Sequence, residues 1–202
     1  MTFKSLLIYL FYLPFTLAFR VQCAVQRGKV SIGKNLQICG FVHLKVNGEL
    51  DIGDNVRINS CRFCNLADGG VTSFQVLKSG KLTIADGVGI SNSAITCAEV
   101  INIGENVNIG ANCAIVDTDF HSINYEERTR RRLINSTETV KTKPIHIESG
   151  VFLGMRSVIL KGCRIESGSV IGAASVVVSS IPANVIAAGN PCLVKRVIGG
   201  KE

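Results

Sequence analysis

The chain has 202 residues, enough for one domain, or one domain with an appendage. It holds 20 Gly against 4 Pro and only 6% aromatics; with many Ile and Val beside Gly and Asn, this favours short strands and tight turns over helices. The formal charge of +7 arises locally. Residues 1–29 carry Lys4, Arg20, Arg27 and Lys29 with no acid, and residues 122–144 carry Arg128, Arg130, Arg131, Arg132, Lys141 and Lys143 against three Glu. Such patches suit phosphates, anionic glycans or a membrane surface, or else a solvated loop.

The first predicted element is the uncharged apolar segment Ser5–Phe19, flanked by Lys4 and Arg20. It falls short of the ~20 residues a spanning helix requires. A charged start before an apolar core also fits a signal peptide, but no small-x-small cleavage site follows. The expectation is a short N-terminal apolar helix, packed on its own domain or making peripheral membrane contact through residues 1–20. Residues 1–29 form this appendage, 30–192 the main domain and 193–202 a tail.

From residue 30 the chain runs in steps of six. "IGKNLQ" and "ICGFVH" are followed by "IGDNVR", "IADGVG", "IGENVN" and "IGANCA". From Ile147 the series "IESGVF", "LGMRSV", "ILKGCR", "IESGSV", "IGAASV" is unbroken. An aliphatic opens nearly every unit, and a small or β-branched residue stands fifth. The first and fifth residues point inward, while Gly or Asn between them turns the chain. Three such strands complete one triangular coil, and stacked coils share one continuous core. No helical stretch is legible after residue 30. Phase shifts near residues 50, 66–80 and 97–102 imply insertions at corners, "LADGGVTSFQVLKSG" being the largest before residue 116.

Of eight Cys, Cys113 and Cys163 fall at inward positions, where a thiol behaves as a small hydrophobe. Cys61-x-x-Cys64 has no second pair to complete a zinc site. All the cysteines are expected to be reduced, as in a cytosolic protein.

This repeat resembles the hexapeptide-repeat acyltransferases. The resemblance implies an all-β fold, a left-handed parallel β-helix of hexapeptide repeats with a protruding loop. The left hand comes from the family, since the general crossover rule would give the opposite. "DTDFHS", an excursion over 122–144, and "KPIHIESGVFLG" resemble the maltose and galactoside O-acetyltransferase branch. That implies an acetyl-CoA-dependent O-acetyltransferase acting on a saccharide hydroxyl in surface polysaccharide or glycan assembly. It also implies a homotrimer; the reduced cysteines and the apolar Ser5–Phe19 add the expectation of a cytoplasmic protein, peripheral at the inner membrane.

The chain has three His: His43, His121 and His146. A γ-carbonic-anhydrase-like metal site needs all three as ligands, and they lie far apart along the stack, so no metal is expected. His121 opens the excursion. Composition alone leaves it as readily a surface His as a base held by a neighbouring carboxylate or carbonyl. The resemblance makes His121 the catalytic base, with Asn92 and Asp119 as acceptor-binding residues. No Cys flanks His121 in sequence, which sets a cysteine nucleophile aside.

The closing segment "IGAASVVVSSIPANVIAAGNPCLVKR" resembles the family's coenzyme-contacting end. The resemblance places Phe152, Met155, Gly172, Ala173, Ser179 and Arg196 beside the coenzyme. Val178 and Ser179 stand where the family often has Thr and Lys, and Leu193 where it often has Arg. Packing within the coil is the competing role for Phe152, and a turn position for Asn92. No nucleic-acid partner is expected. The competing functions are an amino-sugar N-acetyltransferase, a serine acetyltransferase-like enzyme and a non-catalytic β-helix scaffold.

Overall fold

A computed structural model describes residues 3–61, 70–134 and 140–199, with backbone alone for 3–10 and 131–134. Helix α1 (Phe3–Ala24) leads into the coils. Coil 1 comprises β1 (Lys29–Ile32), β2 (Gln37–Gly40) and β3 (His43–Val46); coil 2, β4 (Glu49–Ile52), β5 (Arg57–Ser60) and β6 (Ser73–Val76). Coil 3 comprises β7 (Lys81–Ile84), β8 (Gly89–Ser91) and β9 (Ala94–Cys97); coil 4, β10 (Val100–Ile103), β11 (Asn108–Ile109) and β12 (Ala114–Val116). Helix α2 (Tyr125–Ile134) interrupts the series. Coil 5 comprises β13 (Ile145–Ile147), β14 (Phe152–Leu153) and β15 (Val158–Leu160); coil 6, β16 (Arg164–Ile165), β17 (Val170–Ile171) and β18 (Val176–Val177). Strands β19 (Val185–Ala188) and β20 (Leu193–Val197) close the chain.

Successive coils pair in parallel, giving three faces. Face 1 runs β1-β4-β7-β10-β13-β16, face 2 runs β2-β5-β8-β11-β14-β17-β19-β20, and face 3 runs from β3 through β6, β9, β12 and β15 to β18. The second corner joins faces 2 and 3. The third corner joins face 3 to face 1 of the next coil. Among the described strands only β20 is antiparallel, folding back on β19.

The expected inward positions are the buried ones. Ile103, Val107, Ile109, Cys113 and Ile115 line one coil; Ile147, Val151, Leu153, Ser157 and Ile159 line the next. Where the fifth residue is Ser, its hydroxyl donates to a corner carbonyl: Ser157 to Gly154 at 2.7 Å and Ser169 to Pro182 at 2.6 Å. The buried oxygen is thereby satisfied. Asn35, Asn55, Asn106, Asn112 and Asn184 turn the corners with positive φ, as does Asn92 at +42°. Stacking is close enough that a Cβ on Gly154 would lie 2.5 Å from the Ala173 nitrogen of the next coil.

Helix α1 is longer than the apolar segment suggests, and it closes the first end of the core. Phe19 is 2% exposed and sits in the core cluster. In coil 1 the N–H groups of Gln37 and His43 donate to coil 2, so those of Ile38 and Val46 face the open end. They donate to Thr16 Oγ1 at 3.2 Å and Gln26 Oε1 at 2.9 Å, while Arg20 donates to the Gly33 carbonyl. The free strand edge is thus covered.

Two expectations are corrected. Residues after 30 do contain a helix, α2. Asn124 caps it, its Oδ1 accepting the Glu127 N–H at 3.1 Å, and Glu126 and Glu127 occupy the first turn. The cysteines are not all reduced: Cys61 is disulfide-bonded, although Cys23, Cys39, Cys97, Cys113, Cys163 and Cys192 are free. Cys61 lies at the second-corner insertion, outside the packed rows that hold Cys97 and Cys113. Cys64 lies outside the described residues.

Candidate active site at the third corner

The third corner is where coil 4 fails to continue directly into coil 5. Asp117, fully buried, ends β12's run, and its carboxylate accepts the N–H groups of Ala98 at 2.6 Å and Glu99 at 2.8 Å. It pins the excursion to coil 3. The returning chain is stitched alongside: Thr118 bridges Thr142, and the Lys143 N–H donates to the Asp117 carbonyl at 3.1 Å.

Between these anchors the backbone reverses sharply. Phe120 has φ +57°, and the His121 N–H donates to the Asp119 carbonyl at 2.6 Å. A non-glycine residue in that region is uncommon and marks a locally constrained turn. The turn leaves the His121 side chain exposed. Among the described residues none hydrogen-bonds its ring, so neither the Asp119 carboxylate nor a carbonyl holds it. Asp119 instead pairs with Lys161 from coil 5. The next turn is also fixed: Ser122 donates to Glu127 at 2.6 Å, and Arg128 donates to the Ser122 and Ile123 carbonyls.

A cavity of about 490 Å³ opens under the excursion, lined by Leu77, Lys78, Ser79, Ala98, Thr118 and Phe120 among others. Its size lies in the range of small-molecule sites. Lys78, Ser79, Thr142 and Lys161 belong to this corner, and no sequence signal marked them. They are corner residues outside the inward rows, and only stacking brings them together.

The coenzyme candidates lie elsewhere on the same chain. Phe152 stands outward on face 2 at 46% exposure, paired between Asn108 and Val170. Met155 follows at the second corner of coil 5, and Gly172 and Ala173 at that of coil 6. Arg196 is exposed on β20, opposite Ile186. These five therefore share face 2 and its edge. Ser179 does not; it follows β18, exposed, toward the third corner. A groove of about 630 Å³ runs along face 2 to Phe152, past Arg57, Asn59, Ser91 and Asn108.

Asn92 occupies the second corner of coil 3. It is 3% exposed, and neither amide atom finds a hydrogen-bond partner. Gly70 packs over it, a Cβ there lying 3.9 Å from that of Asn92. Leaving an amide buried and unpaired costs about 1–3 kcal/mol. The positive φ accounts for an Asn at the turn, not for its empty amide. An acceptor would reach Asn92 only with the overlying segment displaced.

His43 stands outward on face 3 of coil 1 and His146 on face 1 of coil 5, where its Nδ1 meets Asn102 Nδ2 at 3.2 Å. Burial pushes the Cys97 thiol up to about 12, helped by the Asp117 charge, and burial likewise raises Cys113. Such thiols are poor nucleophiles.

The family described as "Hexapeptide repeat of succinyl-transferase" matches residues 100–118 and 144–179, the coils on either side of the excursion. A galactoside O-acetyltransferase of Lactococcus lactis is 40% identical over 102 residues, covering 50% of this chain and 45% of that protein. One from Escherichia coli is 36% identical over 111 residues, covering 55% and 51%. Over these coils the chain is similar to the hexapeptide-repeat acyltransferases. It spans about half the length of each of these two relatives. An N-acyltransferase from Bacillus cereus, AntD, solved as a variant with dTDP and coenzyme A, superposes with a TM-score of 0.65 at 22% identity, over 85% of each chain. The coils are thus the left-handed parallel β-helix of the hexapeptide-repeat acyltransferases. Their regular winding is what makes the excursion at His121 conspicuous.

Proposed function

We propose that this protein is an acetyl-CoA-dependent O-acetyltransferase acting on a saccharide hydroxyl, in surface polysaccharide or glycan assembly, with His121 as its base. The observation that carries this reading is the exposed imidazole of His121, set by a constrained turn beside a cavity of about 490 Å³. The relatives' printed activity, galactoside O-acetylation, supports the acceptor class.

In this reading His121 takes the proton of the acceptor hydroxyl as its oxygen attacks the thioester carbonyl. A backbone N–H holds the resulting oxyanion. Collapse breaks the carbon–sulfur bond, and the coenzyme thiolate recovers the proton from the imidazolium.

Phe152, Met155, Gly172, Ala173 and Arg196 would hold the coenzyme along face 2, and Ser179 from the third corner. A side of six residues at about 3.3 Å each places neighbouring corners up to roughly 20 Å apart. One chain therefore keeps His121 away from the face 2 set, and a second chain could bring the two together. Face 3 suits such packing: its outward rows include Ala94, Ala114, Val116, Val158, Leu160 and Val176. A homotrimer in which adjacent protomers share each site follows from this reading. Among the described residues the six free cysteines fit the cytoplasm, with Cys61 the exception.

The test is thiol release from acetyl-CoA by the purified chain against a panel of saccharides. Release with neutral sugars and an O-acetyl product supports the reading. Release only with amino sugars, or no acetyl-CoA binding at all, contradicts it.

A further inference from the structure

Helix α1 is apolar on both of its long sides. One side, with Phe15, Thr16, Phe19 and Cys23, closes the first coil. The other presents Pro14, Leu17, Val21 and Ala24, continued by Val25, all exposed. Phe11 stands exposed one turn before this row, and Phe41, also exposed, packs edge-on against Phe15. A helix apolar all round normally has both sides covered. Among the described residues nothing covers the outer one.

The chain of α1 and coil 1 carries charge of one sign, the nearest acids being those of coil 2, where Glu49 lies opposite Lys29 and the Asp54 carboxylate accepts the Lys34 N–H at 2.7 Å. The first 48 residues hold six Lys and Arg, and the first acid is Glu49. Arg20, Arg27, Lys29, Lys34 and Lys45 are exposed, and among the described residues none pairs with a carboxylate. A second copy docking through the same face would set two such basic ends against each other. Anionic phospholipid would instead neutralise the rim while its acyl region covers the row.

We infer that the outer face of α1 docks on an anionic phospholipid surface, lying in the interface without crossing it. No helix among the described residues is long and apolar enough to cross a membrane. The bonds from Thr16 and Arg20 to coil 1 keep α1 flat across the end of the β-helix. Three coil steps of about 4.8 Å and one helix thickness of about 10 Å then put His121 roughly 25 Å from the lipid. A saccharide carried on a lipid could present its head group at that height. The docking itself does not rest on the proposed activity, since lipid binding is read without substrate.

The experiment is co-sedimentation of the full chain with vesicles of phosphatidylglycerol and phosphatidylcholine, and of phosphatidylcholine alone, at low and high salt. Binding to the anionic vesicles, weakened by salt and about tenfold weaker on phosphatidylcholine, is expected. Val21→Glu should weaken it by about tenfold or more with the melting temperature unchanged, because Val21 faces away from the core. Arg27→Glu, a swap of charge, should weaken it roughly tenfold as well. Equal binding to both vesicle types, no binding to either, or full binding by Val21→Glu would overturn the inference. So would self-association of the native chain that Val21→Glu abolishes, without vesicle binding, since the occupant would then be a second copy.

Discussion

The His121 N–H donates to the Asp119 carbonyl at 2.6 Å, and the Asp119 carboxylate in turn holds Lys161 of the next coil. The turn that presents the imidazole is therefore tied to coil 5 by an ion pair rather than by a direct hold on the ring.

Lys161→Ala should loosen that turn without unfolding the protein. The pair is partly exposed, so its loss should cost about 1 kcal/mol or less of stability. Turnover should fall about tenfold, from misplacement of the base, while acetyl-CoA binding stays constant. Steady-state kinetics and a coenzyme titration on the same variant check this. A variant with native turnover would remove Lys161 from the positioning of His121.

Asp117→Ala should behave in the opposite way. It leaves two N–H groups, those of Ala98 and Glu99, without their acceptor at a fully buried position. The expected cost is about 2–5 kcal/mol, read as a lower midpoint in denaturant titration. Asp117→Asn keeps one acceptor oxygen and should recover part of it.

The buried thiols give a prediction in pH. The Cys97 thiol ionises at about 12 in the fold against 9.0 unperturbed, chiefly because burial disfavours the thiolate. Above 9.0 the unfolded chain loses this proton while the native chain retains it. The stabilisation is thus complete below that pH and declines as pH rises toward about 12. Iodoacetamide at pH 8 should leave Cys97 and Cys113 unmodified in the native protein and label both in denaturant. Native labelling at the denatured rate would contradict the burial.

Assembly is open to sedimentation. A mass of about three protomers is expected, and Leu160→Glu on the apolar outer row of face 3 should dissociate it with loss of activity. A fully active monomer would contradict the shared site.

The coils were legible because one residue in every few must point inward at a fixed step. Ile147, Val151, Leu153 and Ile159 show it without a gap. The disruption at His121 was legible for the same reason, as a loss of that step. Helix α2 was not, because "YEERTRRRL" has no apolar face at helical spacing and its signals are the Asn124 cap and early acids alone. The partners of the third corner were hidden too. Lys78 and Ser79 close coil 2 and Lys161 closes coil 5, and only the stack places them beside the excursion. The reach of α1 was underestimated because Arg20 read as the polar end of the apolar segment, whereas it bonds the open edge of coil 1.

The central claim is that His121 supplies the base. The direct measurement is acetyl transfer by His121→Ala beside the native chain, with acetyl-CoA binding and melting temperature taken on the same samples. A general base is commonly worth about 10²–10⁴-fold, so turnover should fall by that order with binding and stability unchanged. Native turnover in the variant would contradict the account, and equal loss of coenzyme binding would make His121 a structural residue.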